Sequence, residues 1–198
     1  MNTRKSWIRT ELPQLLLLIA LVFAARSSLA DHYYVPTGSM EYTLMSGDRV
    51  LVDKTAYGLR IPFTDIELTG GDAVARGEIV IFDSPRNGDR LIKRVVGVGG
   101  DLVTILDGNL FLNGVPLAAG DRAIEIFGVR TAYLNLADGG GPDVSRVVIP
   151  DGMLLAVGDH RGNSLDGRYF GLIAEREAYG KALGVYRRRG EGFVWIPL

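Results

Sequence analysis

Three separated stretches hold residue types that could do chemistry together. The first is Val35-Pro36-Thr37-Gly38-Ser39-Met40, a serine flanked by glycine just after a proline, as on a constrained turn. Its hydroxyl is a poor nucleophile unless a base takes the proton. The second is Leu91-Ile92-Lys93-Arg94-Val95-Val96, a lysine among apolar, β-prone residues. The third runs from Gly158-Asp159-His160 through Ser164, Asp166 and Arg168 to Gly171, a polar loop too elaborate for a plain connector. His32 adjoins the apolar N-terminal segment, and His160 has no strong positional claim on Ser39. Lysine is the other candidate, because a serine–lysine pair is a known variant of triad chemistry. The amine must be neutral to act, and burial in an apolar site lowers its pKa by disfavouring the charged form.

A lone strand lysine ordinarily points to solvent. Here Arg94 follows directly and takes the opposite face, so one of the two adjacent cations faces the interior or a cleft. Ser164 could orient a neutral amine without adding charge. Asp166 and Arg168 are spaced for an ion pair that braces the loop, although solvated surface charges would read the same way. Acyl transfer also needs oxyanion donors. The Ser39 N–H and the Thr37 hydroxyl are the natural ones.

Composition narrows the field. The 198 residues carry a net charge of −1, which argues against a nucleic-acid partner bound through phosphate neutralisation. There is no cysteine, which excludes disulfides, a thiol nucleophile and thiolate zinc sites, and two histidines are too few for a metal cluster. No metal or cofactor is expected. At the N-terminus Arg4, Lys5 and Arg9 precede an apolar run over 12–30, close to the roughly 20 residues of a spanning helix. The positive flank predicts a cytoplasmic N-terminus. A cleaved secretory signal fits the same residues, since Ser28-Leu29-Ala30 has small side chains where export cleavage needs them.

The elements that must position these groups read as β. Arg49–Asp53, Glu78–Phe82, Leu91–Val98, Leu102–Leu106, Leu110–Leu112, Val147–Ile149, Met153–Val157, Ala182–Tyr186 and Phe193–Ile196 are short runs bounded by turn residues. Asp107-Gly108 and Asn113-Gly114 predict tight hairpin turns. Residues 173–178 allow a turn or two of helix. The span 118–143, with Gly139-Gly140-Gly141, is weakly patterned and reads as a variable insertion or long loop. The fold class expected is mostly β, with antiparallel sheets in a coiled, barrel-like catalytic domain behind one N-terminal transmembrane helix. The organisation expected is a cytoplasmic 1–11, an anchor over 12–30 and an extracytoplasmic peptidase domain over 31–198.

Four blocks in order resemble bacterial type I signal peptidase, the membrane-bound Ser/Lys enzyme that removes signal peptides from exported preproteins. They are Pro36–Met40 with Thr43-Leu44 and Gly47-Asp48; Tyr57-Gly58; Arg76–Phe82 with Ile92–Gly97 and Gly100-Asp101; and Gly158–Gly171. The resemblance implies Ser39 as nucleophile, Lys93 as general base, Ser164 as its orienter and Thr37 as oxyanion donor, with Asp159, Asp166 and Arg168 in the supporting loop. It also implies a cleft for small side chains walled by Tyr33, Val35, Pro36, Met40, Leu44, Val50, Ile81 and Ile92, residues that could equally be ordinary core. The sequence departs from the family pattern with Tyr42 for a usual proline, His160 for a common asparagine and Gly167 for a common serine.

The expected partners are exported preproteins with Ala-x-Ala sites and membrane lipid, with a monomeric enzyme in the inner or plasma membrane. No more than roughly 30 Å of extended chain separates Ala30 from Ser39, so the nucleophile would stay near the bilayer. The four motifs favour the anchor over the cleaved signal. Three other readings stand beside this one. A specialised peptidase of a conjugation, pilus or secretion system has the same chemistry. A self-cleaving repressor-type Ser/Lys protein lacks support, given the apolar N-terminus and no DNA-binding region. A catalytically inactive preprotein-binding relative is opposed by the presence of Ser39, Lys93 and Ser164.

Overall fold

Short apolar runs broken by Gly and Asp cannot sustain helices, and the computed structural model shows a chain built almost wholly of antiparallel strands. It describes residues 11–19, 30–58 and 69–198. Residues 11–19 form a helix, α1, with every side chain exposed. Among the described residues no helix is long and apolar enough to cross a membrane. Residues 1–10 of the expected cytoplasmic segment 1–11 and residues 20–29 of the expected anchor lie outside the described residues.

The strands in order are β1 (Ala30–Tyr34), β2 (Arg49–Asp53), β3 (Ile79–Asp83), β4 (Arg90–Val98), β5 (Leu102–Leu106), β6 (Asn109–Leu112) and β7 (Val115–Pro116). Then come β8 (Ala118–Ala119), β9 (Asp121–Phe127), β10 (Arg130–Tyr133), β11 (Val144–Val148) and β12 (Met153–Val157). A one-turn helix α2 (Gly167–Phe170) leads to β13 (Ile173–Ala174), β14 (Gly180–Arg188) and β15 (Gly192–Pro197). The main sheet runs β1-β2-β14-β3-β4-β12-β13, with β15 also paired to β14. A second sheet is β11-β5-β6-β7 and a third is β10-β9-β8. The predicted hairpin turns form as expected, with positive φ at Asp107, Gly108, Asn113 and Gly114, the conformation a two-residue type I′ loop requires.

Two expectations need correction. The span 118–143 is not a loop, because it contains the whole third sheet. Its pattern is weak because the inward face of β9 carries Glu125, buried at 1% exposure, in place of an apolar residue. Residues 173–178 form β13 and a single 3₁₀ turn, Glu175–Glu177, rather than α-helix.

The main sheet is covered on both faces, so β3 alternates between two cores. Ile79 and Ile81 join Val50, Val52, Ile92 and Val185, while Val80 and Phe82 join Val95, Leu154 and Ile173. A third cluster, with Val96, Val103, Ile105 and Leu155, fills the space under the second sheet. Covering both faces has a direct consequence for β4. Lys93 and Arg94 point opposite ways, yet they are 3% and 2% exposed, so both cations are buried rather than one.

Candidate active site

The strand order brings the three chemical stretches together. Ser39 lies in the turn after β1, held by backbone bonds from Glu41 N–H to the Gly38 carbonyl and from Leu44 N–H to the Met40 carbonyl. Lys93 lies mid-strand in β4 opposite Val80 of β3. The polar loop follows β12, whose Val157 pairs with Arg94, so Gly158 emerges directly beside the lysine strand.

Lys93 Nζ is 2.6 Å from Ser39 Oγ. An ammonium would donate to the hydroxyl, whereas a neutral amine would accept its proton. Desolvation pushes the Lys93 amine down from 10.5 to about 8, against the opposing pull of Asp166 and Asp159, while Arg168 adds to the lowering. Burial therefore outweighs the two nearby carboxylates, because each of those is already engaged by an arginine.

Asp159 is the partner of Arg94. The guanidinium donates through Nε to Asp159 Oδ1 at 2.9 Å and through Nη2 to Oδ2 at 2.7 Å. It also donates to the Gly77 carbonyl, and Thr43 donates to Asp159 at 2.6 Å. Asp166 accepts from Arg168 Nε at 2.9 Å and Nη2 at 2.8 Å, and from the Gly158 N–H at 2.9 Å. Burial alone would raise the Asp166 carboxyl, but the Arg168 hydrogen bonds and charge outweigh it and hold the pKa below its ordinary value. The spacing of Asp166 and Arg168 is thus a buried ion pair, not two solvated charges.

Thr37 Oγ1 lies 3.5 Å from Ser39 Oγ. Ser164 is buried against Gly158 and behind Ser39: a Cβ on Gly158 would fall 2.2 Å from Ser164 Oγ and 2.5 Å from the Ser39 carbonyl oxygen. Glycine at 158 is therefore required by contact. The Ser164 hydroxyl lies near enough to Asp166 to help keep it ionised, yet it meets hydrogen-bond geometry with no protein group, Lys93 included. The residues expected to wall a cleft are brought into one cluster. Val35, Met40, Leu44, Val50, Ile81 and Ile92 are none of them more than 4% exposed, with Tyr33 packed against them and Pro36 at the surface.

Several residues at this site carry no obvious signal in the sequence. Arg161, at 1% exposure, makes a two-bond pair with Glu125 of β9, at 3.0 and 2.6 Å, and donates to the Gly108 carbonyl. This ties the polar loop to the third sheet and to the first hairpin. The glycine run 139–141 explains itself here, since a Cβ on Gly140 would fall 2.1 Å from the Asp107 backbone and one on Gly141 2.4 Å from the Arg161 carbonyl oxygen. Only a chain without side chains passes between them. The segment just after β10 also reaches the site, through bridges of Leu134 with Tyr42 and of Asn135 with His160. His160 is buried at 5% exposure and its backbone N–H donates to the Ser39 carbonyl at 3.2 Å. Gly167, where the family pattern has serine, opens α2 with no room for a Cβ, which would sit 2.9 Å from the Ala156 carbonyl oxygen.

The fold is mostly antiparallel β with a buried amine against a turn serine, and the sequence comparisons identify its family. Residues 5–187 match the family described as signal peptidase, peptidase S26, and the chain belongs to that family. It is 31% identical over 170 residues to a probable signal peptidase I-2 of Synechocystis sp., covering 83% of this chain and 66% of that one. It is 31% identical over 201 residues to a signal peptidase I of Pseudomonas fluorescens, with 85% and 69% covered. The chain thus spans about two thirds of the length of these relatives. A crystal structure of a signal peptidase I from Enterococcus faecalis V583 is 28% identical, with a TM-score of 0.42, over 56% of this chain and 97% of that one.

Proposed function

We propose that this chain is a signal peptidase I, an endopeptidase that cuts N-terminal signal peptides from exported preproteins after small residues. The observation that carries this reading is the buried Lys93 amine, 2.6 Å from Ser39 Oγ, with its pKa lowered to about 8. Ser39 Oγ attacks the scissile carbonyl as its proton passes to the neutral Lys93 amine. The oxyanion is met by the Ser39 N–H and the Thr37 hydroxyl. Collapse of the tetrahedral intermediate breaks the peptide bond, and the Lys93 ammonium donates its proton to the leaving amine. Lys93 then takes a proton from the water that attacks the ester, and returns it to Ser39 Oγ as the C–Oγ bond breaks and the acid leaves.

In this scheme Ser164, buried beside Gly158 with no hydrogen-bond partner of its own, supplies the neutral hydroxyl that turns to the amine and leaves the lysine pKa low. Asp159, Asp166 and Arg168 hold the loop beneath. The substrate lies extended along the strands, pairing as an added strand. Its small side chains rest where Tyr33 and Pro36 meet the cluster of Val35, Met40, Leu44, Val50, Ile81 and Ile92, a surface already filled and so closed to large groups. The enzyme acts as a membrane-held monomer, its anchor over 12–30, its N-terminus cytoplasmic and its peptidase domain outside. Phe193 at 86% exposure and Trp195 at 58%, on the outermost face of β15, suit an interfacial position.

The test is cleavage of a preprotein with an Ala-x-Ala site, in lipid, by the parent, Ser39→Ala and Lys93→Ala. Both variants should lose several orders of magnitude in rate while still binding the preprotein. An unimpaired Ser39→Ala enzyme, or a parent that binds without cutting, would sink the reading.

A further inference from the structure

His160 has no part in the proton transfers above, yet it makes contacts on both sides of Ser39. Its ring Nδ1 is 3.2 Å from the Gly38 carbonyl oxygen, and its backbone N–H donates to the Ser39 carbonyl oxygen at 3.2 Å. Those two carbonyls belong to the two peptide planes that flank the Ser39 Cα. A peptide unit is planar and trans, so fixing the direction of the Gly38 carbonyl fixes the Ser39 N–H in the opposite direction. That N–H is the backbone oxyanion donor. Building on the Ser39–Lys93 reading, we propose that His160 is a positioning residue, setting the plane of the Gly38–Ser39 peptide so that its N–H meets the developing oxyanion.

The surroundings fit this role. Asp138 lies 2.8 Å from the far ring nitrogen, Nε2, and sets the rotation of the imidazole. Glu41 Oε2 lies 3.2 Å from Nδ1 and accepts from Asn135 Nδ2 at 3.1 Å, so both ring nitrogens face acceptors, and the tautomer with its N–H on Nδ1 donates to the Gly38 carbonyl. The Gly38 carbonyl also accepts the Glu41 N–H at 3.0 Å, and the ring supplies the partner for its second lone pair. Such a hold matters at this position because glycine has more accessible backbone conformations than any other residue, so a Gly–Ser plane left to one bond could turn. The His160 backbone is itself fixed, bridged to Asn135, two residues beyond β10.

The side-chain geometry supplies a discriminating pair of variants. In His160→Asn the amide nitrogen takes the place of Nδ1 and can still donate to the Gly38 carbonyl. In His160→Gln the amide reaches towards Asp138 and misses it. The prediction is that His160→Gln and His160→Ala lose roughly 10- to 100-fold in kcat, a fraction of what an oxyanion donor is worth, with KM within about twofold. His160→Asn should return to within about threefold of the parent. A peptide aldehyde ending in an Ala-x-Ala sequence reads the same effect, because Ser39 Oγ adds to its carbonyl carbon and the resulting oxygen occupies the oxyanion position. Its affinity should fall in step with kcat in the glutamine variant, while binding of an uncleaved peptide to a Ser39→Ala background stays level. Equal losses in the asparagine and glutamine variants, a loss in KM alone, or a loss that tracks thermal stability would overturn the proposal. If Ser39→Ala kills activity and every His160 variant matches the parent, positioning alone has failed. If Ser39→Ala is active, the peptidase reading has failed first.

Discussion

The Lys93 amine makes a quantitative prediction for both stability and rate. Its pKa falls from 10.5 to about 8, and desolvation is the leading cause. At 1.36 kcal/mol per unit, the difference corresponds to about 3 kcal/mol between folded and unfolded chains. The unfolded lysine holds its proton up to pH 10.5, whereas the folded one releases it near 8. Between those values the unfolded state binds more protons, so this group makes stability rise with pH. Below about pH 8 the amine is charged in both states and the folded chain bears the whole cost of burying it. Lys93→Met keeps the bulk and removes the charge. Urea unfolding of parent and variant at pH 7 and pH 10 should show the parent gaining about 2–3 kcal/mol on the variant. Tyr57 and Tyr179, both raised by burial, are shared by the two proteins and cancel in the difference. The cleavage rate should follow the same proton, rising about tenfold per pH unit below 8 and levelling off above it. A difference in stability that is flat with pH, or that moves towards the variant between pH 7 and pH 10, would refute the claim that burial neutralises this amine.

Other expectations concern the frame around the pair. Gly158→Ala drives a methyl group into the Ser164 hydroxyl and the Ser39 backbone, and should cost about 1–3 kcal/mol in urea unfolding together with most of the cleavage rate. Glu125→Ala strands the Arg161 guanidinium without a counter-charge and should cost about 3–5 kcal/mol, while Glu125→Leu with Arg161→Leu should cost less than the single change; thermal denaturation of both decides it. Thr37→Val removes the proposed second oxyanion donor and should lower kcat by about 10²- to 10³-fold with KM unchanged, with Thr37→Ser retaining most activity in the same preprotein assay.

Much of the frame was legible because it depends on local chemistry. β2, β5 and β12 stand where apolar and β-branched runs end at Gly, Asp or Pro, and both tight turns follow from residues that tolerate positive φ. What depended on distant partners was not legible. The face of β9 that turns inward looks polar until Arg161 is seen to meet Glu125. The burial of both Lys93 and Arg94 required knowing that Asp159 waits for the arginine and that both sides of β4 are covered. His160 carries no signal as a base, because its contacts are with the carbonyls either side of Ser39 rather than with the hydroxyl. Among the residues expected to wall a cleft, the apolar alternation that suggests a pocket is the same alternation that fills a core.

The position of β14 in the main sheet has a temporal meaning. The strand leading from the nucleophile turn, β2, and the hairpin of β3 with the lysine strand β4 are neighbours only through β14, which pairs with β2 on one side and β3 on the other. Yet β14 is among the last segments of the described chain to leave the ribosome. A chain still emerging can hold its hydroxyl half and its amine half, but it lacks the strand that sets them side by side. Assembly through such long-range pairing is slow and comes late. Within the described chain, the hydroxyl and the amine come to lie side by side only after β14 has been made and has paired with both.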